Sequence, residues 1–111
     1  MSKEAIPPVL LEKVATRFKL LSEPLRLQLI NLLMSRGELC VTDLVELTGQ
    51  TQANISKHLN LLAREGILER RKEGLKVFYR IADPSIQQIC AVMCDRIRDE
   101  LNALQKELGD Q

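Results

Sequence analysis

The sequence predicts a small, mainly α-helical domain with one two-stranded β-hairpin, its elements in the order α-α-α-α-β-β-α. Three observations carry that expectation. Apolar residues recur at three- and four-residue spacing along most of the chain, and Gly37, Gly49, Gly66 and Gly74 separate the segments. Only the stretch from Ile67 to Ile81 alternates apolar with polar residues instead. A chain of 111 residues is the size of one domain, 1–111.

Pro7-Pro8 opens the first helix, expected over Val9–Leu21, with Leu10, Leu11, Val14, Phe18 and Leu21 on its apolar face. Ser22 reads as the N-cap of a second helix that has Pro24 in its first turn and Leu25, Leu29, Ile30, Leu32 and Leu33 on its apolar side. Gly37 ends it. Thr42 is the expected cap of a short helix, Asp43–Leu47, which stops at Thr48-Gly49-Gln50. Thr51 caps the next, and Ile55, Leu59 and Leu62 carry it to Gly66. The hairpin strands are Ile67–Arg71 and Leu75–Ile81, turning around Lys72-Glu73-Gly74. Asp83-Pro84 starts a last helix toward Leu108, with Ile86, Cys90, Met93, Ile97, Leu101, Leu104 and Leu108 in one stripe. Such a stripe packs on the domain's own core or on a second copy.

Composition narrows the function. With 3% aromatic residues and no Trp, the core must be built from Leu, Ile and Val, and dimerisation is a common remedy for so thin a core. No stretch approaches the roughly 18 to 20 apolar residues of a membrane span, and Met1–Ala5 precedes no signal core, which predicts a soluble cytoplasmic protein without a membrane partner. The net charge of +1 is uneven: from Gln52 to Arg80 there are seven basic residues against three acidic, and elsewhere nine against twelve. A basic middle of this kind places one positive face against phosphate. Three cysteines at irregular spacing make no disulfide framework and read as free thiols.

Two short helices joined by a Gly turn carry function when the second presents short polar side chains to the major groove. In the segment from Thr51 to Leu59, Gln52, Ser56 and Lys57, flanked by Asn54 and His58, are read as lying opposite Ile55, Leu59 and Leu62. Gln and Asn suit adenine, Lys suits guanine or phosphate, and the Thr51 and Ser56 hydroxyls suit phosphate. The hairpin adds Arg71, Lys72, Lys76 and Arg70 as phosphate or minor-groove contacts. One His, no Gly-rich phosphate loop and no Ser/His/Asp or Cys/His arrangement speak against an enzyme.

The segments Leu21-Ser-Glu-Pro-Leu-Arg-Leu-Gln-Leu-Ile30, Gly37-Glu-Leu-Cys-Val-Thr-Asp-Leu44 and Thr51-Gln-Ala-Asn-Ile-Ser-Lys-His-Leu59, followed by Leu62 and Gly66, resemble the ArsR/SmtB family of bacterial winged helix-turn-helix repressors. The match covers about residues 18–82. It implies a two-stranded β wing, a homodimer held by the first and last helices, and a pseudo-palindromic operator in double-stranded DNA that is released when an inducer binds. Members that sense soft metals or arsenite often carry ELCVCDL, whereas this chain keeps Cys40 and has Thr42 in place of the second cysteine. The family's zinc spacing on the last helix selects Asp83, Ser85, Arg96 and Asp99, which lacks both imidazoles.

Cys40, Cys90 and Cys94 are therefore the candidate sensor thiols. Three thiolates suit arsenite, antimonite or another soft metal, and the same set suits an oxidant or persulfide switch. Cys40, just before a helix N-terminus, is placed for reactivity. Cys90 and Cys94 are four apart on one helix, a spacing poor for a disulfide. Two other readings stay open: a repressor of a different ligand whose cysteines are structural, and a winged-helix protein-interaction module.

Overall fold

The computed structural model describes residues 5–109. A short 3-10 turn, Pro8–Leu10, leads into α1 (Leu11–Leu21), α2 (Pro24–Arg36), β1 (Leu39–Cys40), α3 (Val41–Thr48), α4 (Gln52–Arg64), β2 (Leu68–Glu73), β3 (Lys76–Ile81) and α5 (Pro84–Gly109). The sheet has three antiparallel strands in the order β1-β3-β2, one more than the expected two. β1 pairs Leu39 with Tyr79 and Cys40 with Phe78. Two residues are too short to show alternation, so this strand has no local signature.

Helix starts differ from expectation at three places: α1 begins at Leu11 rather than Val9, because Pro8–Leu10 form a 3-10 turn. Pro24 is the first residue of α2, where its missing N–H costs nothing, and the N-cap is Glu23 in extended conformation. Ser22 instead closes α1, its hydroxyl donating to the Lys19 carbonyl at 2.7 Å. α3 begins at Val41 because Cys40 is the N-cap: its N–H donates to Asp43 Oδ2 at 3.2 Å, half of a capping box. Thr42 is thus inside the helix. Thr51 caps α4 as expected, accepting from the Asn54 N–H at 3.2 Å.

β2 and β3 pair from Leu68 with Ile81 to Glu73 with Lys76, so the connection is the two residues Gly74-Leu75. Gly74 takes φ +61° and, among the described residues, no non-glycine residue has positive φ, which is the pattern of a type II′ turn. Leu75, expected in the strand, is the fully exposed turn residue.

The core joins α2, α3, α4 and the sheet through Leu29, Ile30, Leu33, Leu44, Ile55, Leu59, Leu62, Ile67 and Tyr79, closed by Leu20 and Leu21 of α1 and Ile86 of α5. Beyond these contacts the terminal helices stay bare. Phe18 is 48% exposed, Met93 55%, Ile97 47%, Leu101 60%, Leu104 53% and Leu108 60%. Only the first member of the α5 stripe, Ile86, is buried.

Leu59 sits fully buried at the centre of this core, so Leu59→Ala is expected to lower unfolding free energy by about 2–5 kcal/mol. Leu75→Ala, in the exposed turn, should stay within about 0.5 kcal/mol of the parent. Urea unfolding at one fixed protein concentration checks both, and equal effects would contradict the assigned core.

Candidate nucleic-acid interface and thiols

The turn between α3 and α4 is fixed from both sides. Gly49 ends α3 in the left-handed region, φ +73° and ψ 8°, a conformation that glycine adopts without Cβ strain. The Thr48 hydroxyl donates to the Leu44 carbonyl at 2.7 Å and accepts from the Gln50 N–H at 3.2 Å. α4 then buries Ile55, Leu59 and Leu62 and leaves Gln52 and Lys57 exposed, with Asn54 and Ser56 half-buried. Asn54 Nδ2 donates to Gln50 Oε1 at 3.2 Å, so part of its polar edge is engaged within the turn.

His58, read from the sequence as flanking the outward face, points inward. It is 8% exposed, and its Nδ1 accepts from Arg26 Nε at 3.1 Å. The same guanidinium donates to the Leu20 carbonyl at 3.4 Å. Burial, with the charges of Arg26 and Lys57, pushes the His58 pKa down, and Glu23 opposes the shift. A neutral ring is what an acceptor for Arg26 requires. The spacing 55, 58, 59, 62 is one helical face, so the position was readable from periodicity and polarity misdirected the reading.

In the hairpin, Lys72 and Lys76 are exposed. Arg71 is engaged within the protein: Nη2 meets Glu38 Oε1 at 2.6 Å, Nη1 meets Glu73 Oε2 at 2.7 Å, and the guanidinium lies 4.7 Å from the Phe78 ring centroid. Such solvent-screened pairs contribute little to stability, so exchanging one for a phosphate costs little.

Two residues that sequence reasoning missed connect the hairpin to α4. The Tyr79 hydroxyl donates to Asn60 Oδ1 at 2.7 Å while the rest of the ring is buried. Burial raises the Tyr79 pKa, and Arg70, its register partner on β2, opposes that rise. Between α4 and the hairpin lies a cleft of about 140 Å³ whose polar lining is Gln52, Ser56, Asn60, Arg70, Lys76 and Tyr79 with Thr42, beside the apolar Val41, Leu75 and Val77. The available signal was Tyr79 itself, since a buried phenol needs a partner for its hydroxyl.

The three thiols have different surroundings. Cys40 is buried at the α3 N-cap, Cys90 is half-buried and Cys94 exposed. Burial pushes the Cys90 thiol up, and Arg98 Nη2 donates to Cys94 Sγ at 3.5 Å. Cys90 and Cys94 line one open, apolar groove of about 400 Å³ together with Phe18, Leu21, Leu27, Ile89, Met93 and Ile97. Among the described residues, no three His, Cys, Asp or Glu side chains lie close enough together to hold a metal ion, so within one chain Cys40 does not join the other two.

The sequence profile of the bacterial regulatory protein, arsR family, matches residues 23–70, from the start of α2 into β2. The arsenical resistance operon repressor of Escherichia coli strain K12 is 38% identical over 98 residues, 85% of this chain and 83% of the relative. The chain belongs to the ArsR family. Among solved structures, the AntR antimony-specific transcriptional repressor aligns with a TM-score of 0.81 at 29% identity over 92% of each chain. The homodimeric winged helix-turn-helix DNA-binding domain of Mycobacterium bovis aligns at 0.72, with 31% identity over 90% of this chain and 91% of its own. This ArsR-family chain is a winged helix-turn-helix DNA-binding transcription regulator, and its relatives are regulators rather than enzymes. No helix among its described residues is long and apolar enough to cross a membrane. At the positions chosen by the family's zinc spacing, Asp83 is held by Arg17 at 2.6 Å and accepts from the Ser85 N–H and hydroxyl.

The buried His58 gives the ArsR-family fold a pH dependence of definite sign. Its folded pKa lies below the ordinary value of 6.5, so the unfolded chain takes up the proton first and stability falls as pH drops below about 6.5. The depressed carboxyls of Glu38, Asp43 and Asp83 lose their contributions only in stronger acid, below about pH 4.5. The urea midpoint is therefore expected to decline from pH 7.5 to 5.5 in the parent and to stay flatter in His58→Gln; parallel declines would place the titrating group elsewhere.

Proposed function

We propose that this chain is a cytoplasmic homodimeric repressor that binds operator DNA through α4 and the hairpin, and that a thiol-reactive signal lowers its affinity. The signal class is arsenite or antimonite, or an oxidant or persulfide, acting on Cys40, Cys90 or Cys94. The observation that carries the DNA reading is the α4 surface. Gln52 and Lys57 are exposed, with Thr51, Asn54 and Ser56 beside them, on a helix whose other face is locked into the core. Short polar side chains on the first turns of such a helix are suited to base edges, and Lys72, Lys76 and Arg71 on the hairpin to phosphates. The Tyr79–Asn60 hydrogen bond supports this by holding the hairpin at a fixed distance from α4.

The bare apolar stripes of α1 and α5 support the dimer, as does the homodimeric state of the M. bovis relative. Two copies related by a two-fold axis present two α4 helices, which fits half-sites about one helical turn of DNA apart. The thiol signal is supported by three free cysteines and by the antimony-specific and arsenical repressors among the relatives. The buried capping position of Cys40 favours a structural role for that one cysteine.

Lys57→Glu tests the interface without touching the core. On a duplex selected from a random pool, fluorescence anisotropy should show binding weakened at least about tenfold, and parent affinity should fall with salt along a slope near −0.9 per phosphate neutralised. Circular dichroism should be unchanged. Undiminished affinity of the folded variant would contradict the role of α4, and absence of any salt-dependent binding would favour a protein-interaction module.

A further inference from the structure

We infer that Arg26 and His58 are a positioning pair for DNA binding: their hydrogen bond sets how α4 sits on α2, and a proton on His58 breaks it and weakens the hold on DNA. The inference rests on α4 as the DNA-facing helix and names the contact that orients it.

The apolar side of α4 does not fix its orientation alone. Ile55, Leu59 and Leu62 hold the helix by burial, which has no preferred direction, whereas a hydrogen bond does. Among the described residues, two side-chain hydrogen bonds join α4 to another helix or strand: Asn60 to Tyr79 of β3, and His58 to Arg26 of α2. His58 makes the helix-to-helix tie, and its neighbour in sequence is the exposed Lys57.

Arg26 is itself anchored. Its side chain, half-buried in the first turn of α2, also reaches the Leu20 carbonyl at 3.4 Å. That carbonyl lies in the last turn of α1, where carbonyls lack helical partners and the helix dipole favours a cation. The guanidinium therefore has a seat between α1 and α2 that does not depend on α4, and its Nε offers His58 Nδ1 one position, at 3.1 Å.

The contact fails when His58 is charged. A neutral ring accepts at Nδ1, but an imidazolium carries donors on both nitrogens, and the guanidinium keeps its proton throughout. Two donors and two positive charges then face each other where a hydrogen bond had been. Lys57 on α4 adds to the repulsion, Glu23 at the α2 N-cap opposes it, and from α1 the Leu20 carbonyl faces the guanidinium. The sign separates this role from direct contact. An exposed histidine on a DNA-facing helix gains charge in acid and binds phosphate more tightly. His58, on the inner face, should do the reverse.

Anisotropy on a duplex selected with the parent is followed from about pH 7.5 to about pH 5.5 at constant ionic strength, with circular dichroism at each step. The proteins are the full-length parent, His58→Asn, His58→Leu, Arg26→Met and Lys57→Glu. Asn places an oxygen acceptor near the Nδ1 position and takes up no proton. Parent affinity should fall at least about twofold over this range, while His58→Asn and Arg26→Met keep a flatter profile. At the higher pH, His58→Leu, which has no acceptor, should bind at least about fivefold more weakly than His58→Asn. His58 is the one histidine of the chain, so NMR reads its ring titration directly. Linkage is reciprocal, and bound DNA should move that titration to lower pH. Parent affinity that holds or rises in acid, a decline shared by His58→Asn, equal binding by His58→Asn and His58→Leu, or a ring titration raised by DNA would overturn the pair. Undiminished binding by Lys57→Glu would instead overturn α4 as the DNA-facing helix, whatever the acid profile.

Discussion

The apolar surface of α5 that the chain's own core cannot reach is the constraint on which the structure turns. The core is filled by Leu, Ile and one Tyr from α2, α3, α4 and the sheet, and α5 contributes Ile86 to it before running on beyond its edge. From Ile89 to Leu108 the helix carries seven large apolar side chains, each more than a third exposed, and α1 with the 3-10 turn before it adds Leu10, Leu11 and Phe18. Fully burying one such side chain is worth about 1.5–3 kcal/mol, so a partner that covers several supplies stabilisation on the scale of a whole domain. A second copy, with the same stripe, is the partner this geometry accommodates most directly.

Covering that surface bears on function because the DNA-facing helix is held by what lies behind it. α4 is fixed by its Thr51 cap, by Ile55, Leu59 and Leu62 in the core, by His58 against Arg26 of α2, and by Asn60 against Tyr79 of β3. Each anchor uses the inner or side face and leaves Gln52 and Lys57 free. α2 in turn shares a groove with α5 and its two outer thiols.

How much of this was legible in the sequence follows from how local each feature is. The Thr51 cap, the glycine at the α3–α4 turn, the hairpin and the α5 stripe rest on neighbours within a few residues, and the spacing alone announces them. The start of α3 did not, because Cys40 acts as a cap only once its backbone is extended by pairing with Phe78, 38 positions away. β1 was missed for the same reason. Arg71 read as a free cation because its partner Glu38 lies 33 residues earlier. The Tyr79–Asn60 bond likewise needs the sheet to be docked on α4. His58 differs in kind: its place on the inner face was in the periodicity, and its polarity argued the other way. The three cysteines were legible as a count, while their division into one buried cap and one helical pair is tertiary information.

Sedimentation equilibrium on the parent and on Leu101→Glu tests the dependence on a second copy most directly. Leu101 touches none of the core and lies mid-stripe on α5, so a charge there leaves the folded chain intact while opposing burial of the stripe. At micromolar concentration the parent should sediment at twice the 12.6 kDa chain mass and Leu101→Glu largely at the single-chain mass. A parent that stays monomeric over the whole range, or a Leu101→Glu variant that dimerises as tightly as the parent, would contradict the account.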